Sequence, residues 1–222
     1  MTEHYFTATP ASEDERREIR VVLDGQDRAV ETAPGVFSPS RLDLGTEVLL
    51  RSVPTPPDAG ALVDLGCGWG PVALTMALRA PHAHVWAVDV NTRALDLVRR
   101  NAERLGLANL TPVLPDEVPD VPVAALWSNP PIRVGKETLH AMLRTWLVRL
   151  SAQGEAHLVV QRNLGSDSLQ EWIGTELGHD VQRVASAKGF RVLRVRRGAE
   201  ASTGRTPGRP PPPGQDPNRR GS

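Results

Sequence analysis

The chain has 222 residues, of which 40% are hydrophobic and 23% charged, an ordinary composition from which a buried core can form. Its 26 basic residues balance its 26 acidic residues, which excludes an overall basic polyelectrolyte but allows a local basic patch. The single cysteine, Cys67, excludes an intrachain disulfide framework and a zinc site built on several thiolates. The polar N-terminus resembles no signal peptide, and no apolar run approaches the roughly 18 residues of a membrane span, so we expect a soluble, cytoplasmic protein.

The first 60 residues predict a small N-terminal extension that packs on the domain after it. Residues 19–23 and 28–32 have the composition of strands and flank the turn-forming pair Asp24-Gly25, which predicts a β-hairpin. Residues 42–53 have apolar side chains at helical spacing and stop before a proline-rich segment, which predicts one helix.

From residue 61 onward, short apolar strands alternate with helices. The predicted strands are 61–65, 83–88, 110–114, 121–127 and 156–160, and the predicted helices are 71–80, 91–105, 136–150 and 168–177. Such alternation is typical of a mainly parallel sheet with helices on both faces. Two further strands, 180–185 and 190–196, are joined by a short turn and predict an antiparallel hairpin. We therefore predict an α/β, Rossmann-like fold with a seven-stranded sheet.

The composition changes at residue 198. Residues 198–222 contain six prolines and five glycines but no Val, Leu, Ile, Phe, Trp or Tyr, so burial cannot offset the entropy of ordering them. We predict a disordered tail; its four arginines and two acids, a net charge of +2, fit either a weak RNA tether or a plain solvated segment. The predicted organisation is an extension at 1–60, a catalytic domain at 61–197 and a tail at 198–222.

A glycine-rich turn follows the first predicted strand of the domain. Asp64, Gly66, Gly68 and Gly70 have the spacing Asp-x-Gly-x-Gly-x-Gly, and Pro71 follows. Glycines at such a turn let a ligand approach the backbone closely, and the start of the next helix offers free N–H groups. A dinucleotide site requires Gly-x-Gly-x-x-Gly, whereas the third position here is Pro71. A carboxylate at the loop entrance would also repel a pyrophosphate and attract a cationic amino-acid group, so the turn favours S-adenosylmethionine over NAD.

Acidic residues follow the next two strands. Asp89 ends the second strand beside the glycine turn, where a carboxylate can accept hydrogen bonds from both hydroxyls of a ribose. We therefore assign Asp89 and the adjoining Val90 to the cofactor site. Asp116, after the third strand, fits either a partner for the adenine amino group or a solvated loop acid.

The fourth strand ends in Ser128-Asn129-Pro130-Pro131, the most specific chemical signal in the chain. Two prolines fix the backbone and supply no N–H, which leaves the Asn129 side chain and the Pro130 carbonyl as acceptors. Both can accept from the NH₂ of a planar amine, whose lone pair must be localised before it attacks a methyl group. Strand ends of this kind face the ligand crevice of open α/β sheets, so we predict that Asn129, Pro130 and Pro131 hold the methyl acceptor.

The residues after this motif are candidates for binding the substrate. Ile132 adjoins the prolines, and Arg133 and Lys136 could contact phosphate, although a capping or solvated role fits them equally well. The six histidines lack the spacing of metal ligands, so we predict no metal.

The glycine spacing, Asp89 and Asn129-Pro-Pro together resemble class I S-adenosylmethionine-dependent amino methyltransferases. Residues 4–6, 35–46 and 188–193 are similar to the ribosomal RNA small-subunit methyltransferase C (guanine-N2) family in a single-domain form, so the resemblance spans about residues 4–197. It implies the class I methyltransferase sheet, a cofactor pocket lined by Phe37 and Ser38, and a target amine carried by Asn-Pro-Pro. Ile132 stands where that family has an aromatic residue that would stack on the base.

We therefore predict an S-adenosylmethionine-dependent N-methyltransferase that acts on guanine N2 of 16S ribosomal RNA, with ribosomal RNA or the small ribosomal subunit as partner and no membrane contact. Other planar amines, a protein glutamine or adenine N6, are alternative acceptors. A non-catalytic S-adenosylmethionine- or RNA-binding module is an alternative of another class. Pro71 and Asp64 disfavour an NAD-dependent oxidoreductase.

Overall fold

The computed structural model describes residues 15–198. Residues 1–14 and 199–222, which include residues 4–6 and nearly all of the predicted tail, lie outside this description. Within residues 15–198, nine strands and five α-helices follow in the order β1 (Arg17–Leu23), β2 (Gln26–Thr32), α1 (Leu44–Ser52), β3 (Ala61–Leu65), α2 (Pro71–Arg79), β4 (His84–Val88), α3 (Thr92–Leu105), β5 (Leu110–Val113), β6 (Val123–Ser128), α4 (Lys136–Leu147), β7 (Leu150–Gln161), α5 (Ser166–Glu176), β8 (Asp180–Ala187) and β9 (Phe190–Arg196).

Strands β3 to β9 form one sheet in the spatial order β5-β4-β3-β6-β7-β9-β8. The first five strands in that order are parallel, and β9 runs antiparallel to both β7 and β8. The predicted seven-stranded, mostly parallel sheet with an antiparallel C-terminal hairpin is confirmed. Because the chain winds from β3 outward to β5 and then returns to β6, the order reverses between β3 and β6. Ligands bind outside the carboxyl ends of the strands at such a point.

Helices cover both faces of the sheet because its strands are apolar on both sides. Leu62 of β3 belongs to the core under α1, α2 and α3, whereas the next residue, Val63, belongs to the core under α4 and α5. This alternation follows from the two-residue period of a strand.

The predicted N-terminal hairpin is also present, as the separate two-stranded sheet β1-β2. It is attached to α3 through Asn101, whose Oδ1 accepts the Glu31 N–H at 2.7 Å and whose Nδ2 donates to the Glu31 carbonyl at 3.0 Å. The same Nδ2 donates to the carbonyl of Trp69 at 3.1 Å, so one buried side chain joins the hairpin, α3 and the glycine-rich turn.

Most predicted boundaries differ from the observed ones by one or two residues, and the largest difference lies between α4 and β7. The helix predicted over 136–150 ends at Leu147, and the strand predicted over 156–160 already begins at Leu150. The apolar residues of α4 continue at helical spacing into Leu150, so periodicity does not separate the two elements. The sheet separates them, since Leu150 pairs with Val123 of β6 and the Val123 N–H donates to the carbonyl of Arg149.

None of the helices in residues 15–198 has the length and apolar character needed to cross a membrane. Over the same residues, no group of three or more His, Cys, Asp or Glu side chains is placed to hold a metal ion.

Candidate active site

A crevice of about 260 Å³ opens at the carboxyl ends of β3, β4, β6 and β7, beside the point where the strand order reverses. Its wall contains residues from the glycine-rich turn, the acid after β4 and the motif after β6, namely Gly66, Gly68, Asp89, Asn129, Pro130 and Pro131. Three motifs that are far apart in the chain therefore share one cavity.

The glycine-rich turn presents backbone to this cavity. Gly66 and Gly68 have φ angles of 79° and 54°, a region that residues with side chains rarely adopt. A Cβ atom on Gly66 would lie 3.9 Å from Pro131 Cδ, and one on Gly68 would lie 3.8 Å from Phe37 Cβ. A longer side chain at either position would therefore extend into the crevice.

The other two residues of the motif support the turn from behind. Gly70, with φ of 97°, faces α3, where an added Cβ would lie 2.9 Å from Val98 Cγ2. Asp64 is 1% exposed, and its Oδ2 accepts the Ala73 N–H at 2.9 Å, which caps α2 because the N-cap residue is a glycine. Burial raises the pKa of Asp64 to about 8, so this side chain is largely uncharged at neutral pH. The attraction for a cationic ligand that the sequence suggested for it is correspondingly weak.

Asp89 lies on the crevice wall directly after β4. Its two carboxylate oxygens accept the N–H groups of Gly68 and Asn91, each at 2.9 Å. Burial raises the pKa of Asp89, and these two N–H groups oppose the rise. Each oxygen keeps a further lone pair that can accept a hydrogen bond from a ligand.

The segment between β2 and α1 forms the opposite wall. The Asn91 side chain donates to the carbonyl of Gly35 at 2.8 Å, and the indole N–H of Trp69 donates to the carbonyl of Ser38 at 3.2 Å. These bonds fix the segment to α3 and to the glycine turn, and Phe37 stands 36% exposed on the wall. Trp69 is only 1% exposed, so it supports this wall from the protein interior and does not face the crevice.

The amide of Asn129 has a defined orientation. Its Nδ2 donates to Asp43 Oδ2 at 2.9 Å and to Thr46 Oγ1 at 3.1 Å. The same Asp43 oxygen accepts the backbone N–H of Thr46 and so caps α1. Because both amide hydrogens are engaged, the Oδ1 of Asn129 is the atom left to accept a hydrogen from a ligand.

The backbone on either side of Asn129 is also fixed. The Ser128 hydroxyl donates to the carbonyl of Leu65 at 2.6 Å, which joins the end of β6 to the end of β3. The Pro130 carbonyl accepts the Ile132 N–H at 2.8 Å across Pro131, whose φ of −73° and ψ of 75° form an inverse γ-turn. One lone pair of the Pro130 carbonyl remains for a ligand.

The predicted substrate residues follow this turn. Ile132 lines both the crevice and a second cavity beside it, and Lys136, which is exposed, lines the second cavity. Arg133 belongs to the short 3₁₀ turn Ile132–Val134. Val90 and Asp116 lie on the loops after β4 and β5, outside the crevice wall; Val90 is 41% exposed and Asp116 is exposed.

The crevice wall also contains Asp43, Asn91 and Phe190, which sequence reasoning did not assign to the site. Asp43 carried a usable signal, since an acid at the start of a predicted helix is a typical N-cap. Phe190 packs on α1 where a Cβ on Gly45 would lie 2.9 Å from its ring, so Gly45 within the helix marked a close approach.

A family model described as the methyltransferase small domain matches residues 27–194, which is most of the chain. The chain belongs to the methyltransferase small-domain family. This assignment confirms the predicted class, a class I methyltransferase that uses S-adenosylmethionine.

The small-domain methyltransferase has curated relatives of two lengths. It is 31% identical over 201 residues to the uncharacterized protein YbxB of Bacillus subtilis strain 168, covering 89% of this chain and 100% of YbxB. It is 35% identical over 176 residues to the ribosomal RNA small subunit methyltransferase C of Stutzerimonas stutzeri strain A1501, covering 76% of this chain and 51% of that protein. The chain thus spans the whole of YbxB but about half of the length of that longer relative.

A solved structure has the same fold. The T. thermophilus 16S rRNA N2 G1207 methyltransferase (RsmC), in complex with AdoMet and guanosine, matches with a TM-score of 0.71 and 22% identity. The match covers 85% of this chain and 52% of that chain. It confirms the class I methyltransferase sheet that the family resemblance implied.

Proposed function

We propose that the small-domain methyltransferase transfers a methyl group from S-adenosylmethionine to the N2 amine of guanine in small-subunit ribosomal RNA. The observation that carries the proposal is the Asn129 amide, whose two hydrogens are engaged so that Oδ1 can accept from an amine. The relatives named ribosomal RNA small subunit methyltransferase C, and the structural neighbour that acts on N2 of a guanine, support guanine over other planar amines.

The crevice offers a bare backbone turn and hydrogen-bond acceptors that suit the cofactor. Gly66 and Gly68 offer a turn without side chains, and the free lone pairs of Asp89 would accept the ribose hydroxyls. Phe37 would cover the cofactor from the opposite wall. The bound cofactor supplies an electrophilic methyl group.

The remaining predicted cofactor residues have supporting positions in this proposal. Asp64 and Gly70 hold the turn in shape, and Ser38 holds the wall segment through its carbonyl. Val90 and Asp116 lie on the neighbouring loops, where they would meet the adenosine end of the cofactor.

Catalysis in this site would consist mainly of positioning. Asn129 Oδ1 and the Pro130 carbonyl would each accept one hydrogen of the NH₂ group, which turns the nitrogen lone pair toward the methyl group. Pro131 keeps the Pro130 carbonyl in place through its γ-turn. Alignment of this kind can contribute roughly 7–11 kcal/mol. The attacking amine is neutral, so no base has to remove a proton before the attack.

The target base has to leave its helix to enter the crevice. The N2 of a paired guanine lies in the minor groove, and extruding the base costs a few kcal/mol. Phe190 is the aromatic side chain of the wall left to cover it, because Ile132 replaces the family aromatic, Trp69 is buried and Phe37 would cover the cofactor. Ribosomal RNA as substrate, with the small ribosomal subunit as partner, would make this a cytoplasmic enzyme.

The substrate is tested by methylation of ribosomal subunits. Purified enzyme and labelled S-adenosylmethionine are incubated with small subunits from cells that lack the enzyme, and the RNA is digested to nucleosides. We expect the label in N2-methylguanosine. Label in N6-methyladenosine or in protein would overturn guanine N2 as the acceptor. Binding of the cofactor without any methyl transfer would favour a non-catalytic module.

The same assay tests the role of Asn129. Asn129→Ala should lose methyl transfer by orders of magnitude while its affinity for S-adenosylmethionine, measured by calorimetry, stays near the wild-type value. Turnover at close to the wild-type rate would show that Asn129 only supports the fold.

A further inference from the structure

The crevice adjoins a second cavity that the proposed reaction does not use. This cavity, about 230 Å³ in volume, lies between α4, α5 and the end of β7, and Ile132 and Leu164 line both spaces. Leu164 is 44% exposed although it is apolar. The inner wall is apolar as well, formed by Leu139, Val160 and Leu169.

The rim of this cavity carries basic groups on one face of α4. Lys136 and His140 line the cavity, and Arg144 follows at the same four-residue spacing, about 6 Å further along the helix at each step. Among residues 15–198, none of the three pairs with an acidic side chain. By contrast, Arg100 and Arg104 on the opposite side of the sheet form ion pairs with acids of the N-terminal hairpin. A neutral chain thus has uncompensated cations beside its crevice.

Aromatic rings are interleaved with these cations. The ring of His140 stacks on that of Trp172, with centroids 3.6 Å apart and planes inclined by 17°. The guanidinium of Arg144 lies 5.5 Å from the Trp172 ring centroid. Burial, assisted by the charges of Lys136 and Arg144, lowers the pKa of His140, which favours the neutral form of this ring. Cations that alternate with aromatic rings are typical of surfaces that bind single-stranded nucleic acid.

We propose that the second cavity binds the base of the nucleotide next to the target in the same RNA strand, and that Lys136 and Arg144 contact the phosphates beyond it. The inference rests on the proposed function. Extruding one base unstacks its neighbour, and an apolar cavity next to the acceptor site offers that neighbour a surface to pack on. The unpaired cations on α4 would then continue the path of the strand away from the crevice.

Charge reversal tests the phosphate contacts. Lys136→Glu/Arg144→Glu should raise the KM for the small subunit at least tenfold without changing the affinity for S-adenosylmethionine. The slope of log K against log salt, where K is the association constant for an RNA fragment that contains the modified site, should also become shallower by roughly 1.4 in this double variant. Each phosphate contact contributes about 0.7 to that slope on a single strand. The matched control, Arg20→Glu/Arg99→Glu, makes the same charge change on β1 and α3, where both arginines are exposed. Equal effects of the two double variants would overturn the proposal.

Filling the cavity tests the base. Ser168 is exposed on the cavity rim, so Ser168→Trp fills the space without disturbing the core. We expect a KM for the subunit raised about tenfold, with the thermal midpoint and cofactor affinity of the wild type. A photo-reactive side chain at position 168 should cross-link to the nucleotide adjacent to the methylated guanine. An unchanged KM, or a cross-link to a ribosomal protein instead, would overturn the proposal.

These outcomes are separable from a failure of the proposed function. If guanine N2 is not the acceptor, the wild-type enzyme forms no N2-methylguanosine. If only this inference is wrong, the wild-type enzyme forms N2-methylguanosine and the α4 and Ser168 variants form it with an unchanged KM.

Discussion

Asn129 takes its orientation from Asp43, which lies 86 positions earlier in the chain. A single Asp43 oxygen accepts both the Thr46 N–H that starts α1 and the Asn129 amide. An unconstrained amide could present either its oxygen or its NH₂ to the crevice, and only the oxygen can accept a hydrogen from an amine. Asp43 is therefore a positioning residue in the proposed mechanism.

The two roles of Asp43 can be separated by substitution. Asp43→Ala should lower kcat about 10- to 100-fold, the cost of slight misplacement, and should destabilise the protein by about 1 kcal/mol through loss of the helix cap. Asp43→Ser retains a capping hydroxyl but a shorter side chain, so it should recover the stability and not the kcat. Wild-type kcat in the serine variant would contradict the positioning role.

The next prediction concerns Asp89, on the side of the crevice proposed for the cofactor. Asp89→Ala should weaken binding of S-adenosylmethionine by about 1.5–3 kcal/mol, the range for hydrogen bonds to a charged group. Calorimetry on the folded variant measures this loss. Asp120→Ala, which removes an exposed acid after β5, is the control and should bind as the wild type does. Unchanged affinity in Asp89→Ala would remove this residue from the site.

At the scale of elements, the glycine turn depends on what packs behind it. The first residue of α2 is Pro71, whose fixed φ suits a helix start, and the cap comes from Asp64 on β3 because Gly70 has no side chain. The turn is also held by Gly66 and Cys67, whose N–H groups both donate to the carbonyl of Val88. Contacts from β3, β4 and α3 thus set the shape of the backbone that would receive the cofactor.

Two glycines with the same backbone requirement test the packing of this turn. Gly70 and Gly106 both have positive φ, but an added Cβ meets Val98 at 2.9 Å in the first case and nothing within 4 Å in the second. Gly106→Ala should cost about 1–2 kcal/mol for the left-handed conformation alone. Gly70→Ala should cost a further 1–3 kcal/mol, approximately, from overpacking. Urea denaturation of both variants measures the difference; equal losses would show that α3 can yield.

At the scale of the whole molecule, two buried titratable groups shape the dependence of stability on pH. One group acts as the pH rises and the other as it falls. Burial raises the pKa of Asp64 from 3.8 to about 8 in the folded state, so its contribution is fully present below about pH 4 and is lost as the pH rises toward 8. Burial lowers the pKa of His157 on β7 from 6.5 to about 4, so its contribution is present above pH 6.5 and is lost as the pH falls toward 4.

Substitution of each group should remove its pH-dependent contribution to stability separately. Asp64→Asn keeps an oxygen for the Ala73 N–H but cannot ionise, so the free energy of unfolding should fall less between pH 4 and 8 than in the wild type. In His157→Gln, the free energy of unfolding should fall less between pH 6.5 and pH 4 than it does in the wild type. Chemical denaturation across pH 4 to 9 measures both; curves parallel to the wild type would contradict the assigned titrations.

Much of the fold and the place of the site were predictable from local pattern. Alternating apolar strands and helices indicate a parallel sheet because each short connection has to return the chain to the same edge. That rule also brings the glycine turn, Asp89 and Asn129-Pro-Pro together, since each follows a parallel strand at its carboxyl end. Spacing along the chain therefore located the three motifs of the crevice, and the acceptance of a planar amine stays a prediction.

The roles within the site depended on contacts that no local pattern contains. Asp64 and Gly66 are neighbours in one motif, yet the Asp64 carboxyl group faces the start of α2 whereas Gly66 faces the crevice. This difference is decided by how β3 packs between its helices. The end of α4 depended on the pairing of Leu150 with β6, and the orientation of Asn129 on a cap at α1. Burial, pKa and hydrogen-bond partner are properties of the surroundings, and the surroundings come from residues that only the tertiary structure places nearby.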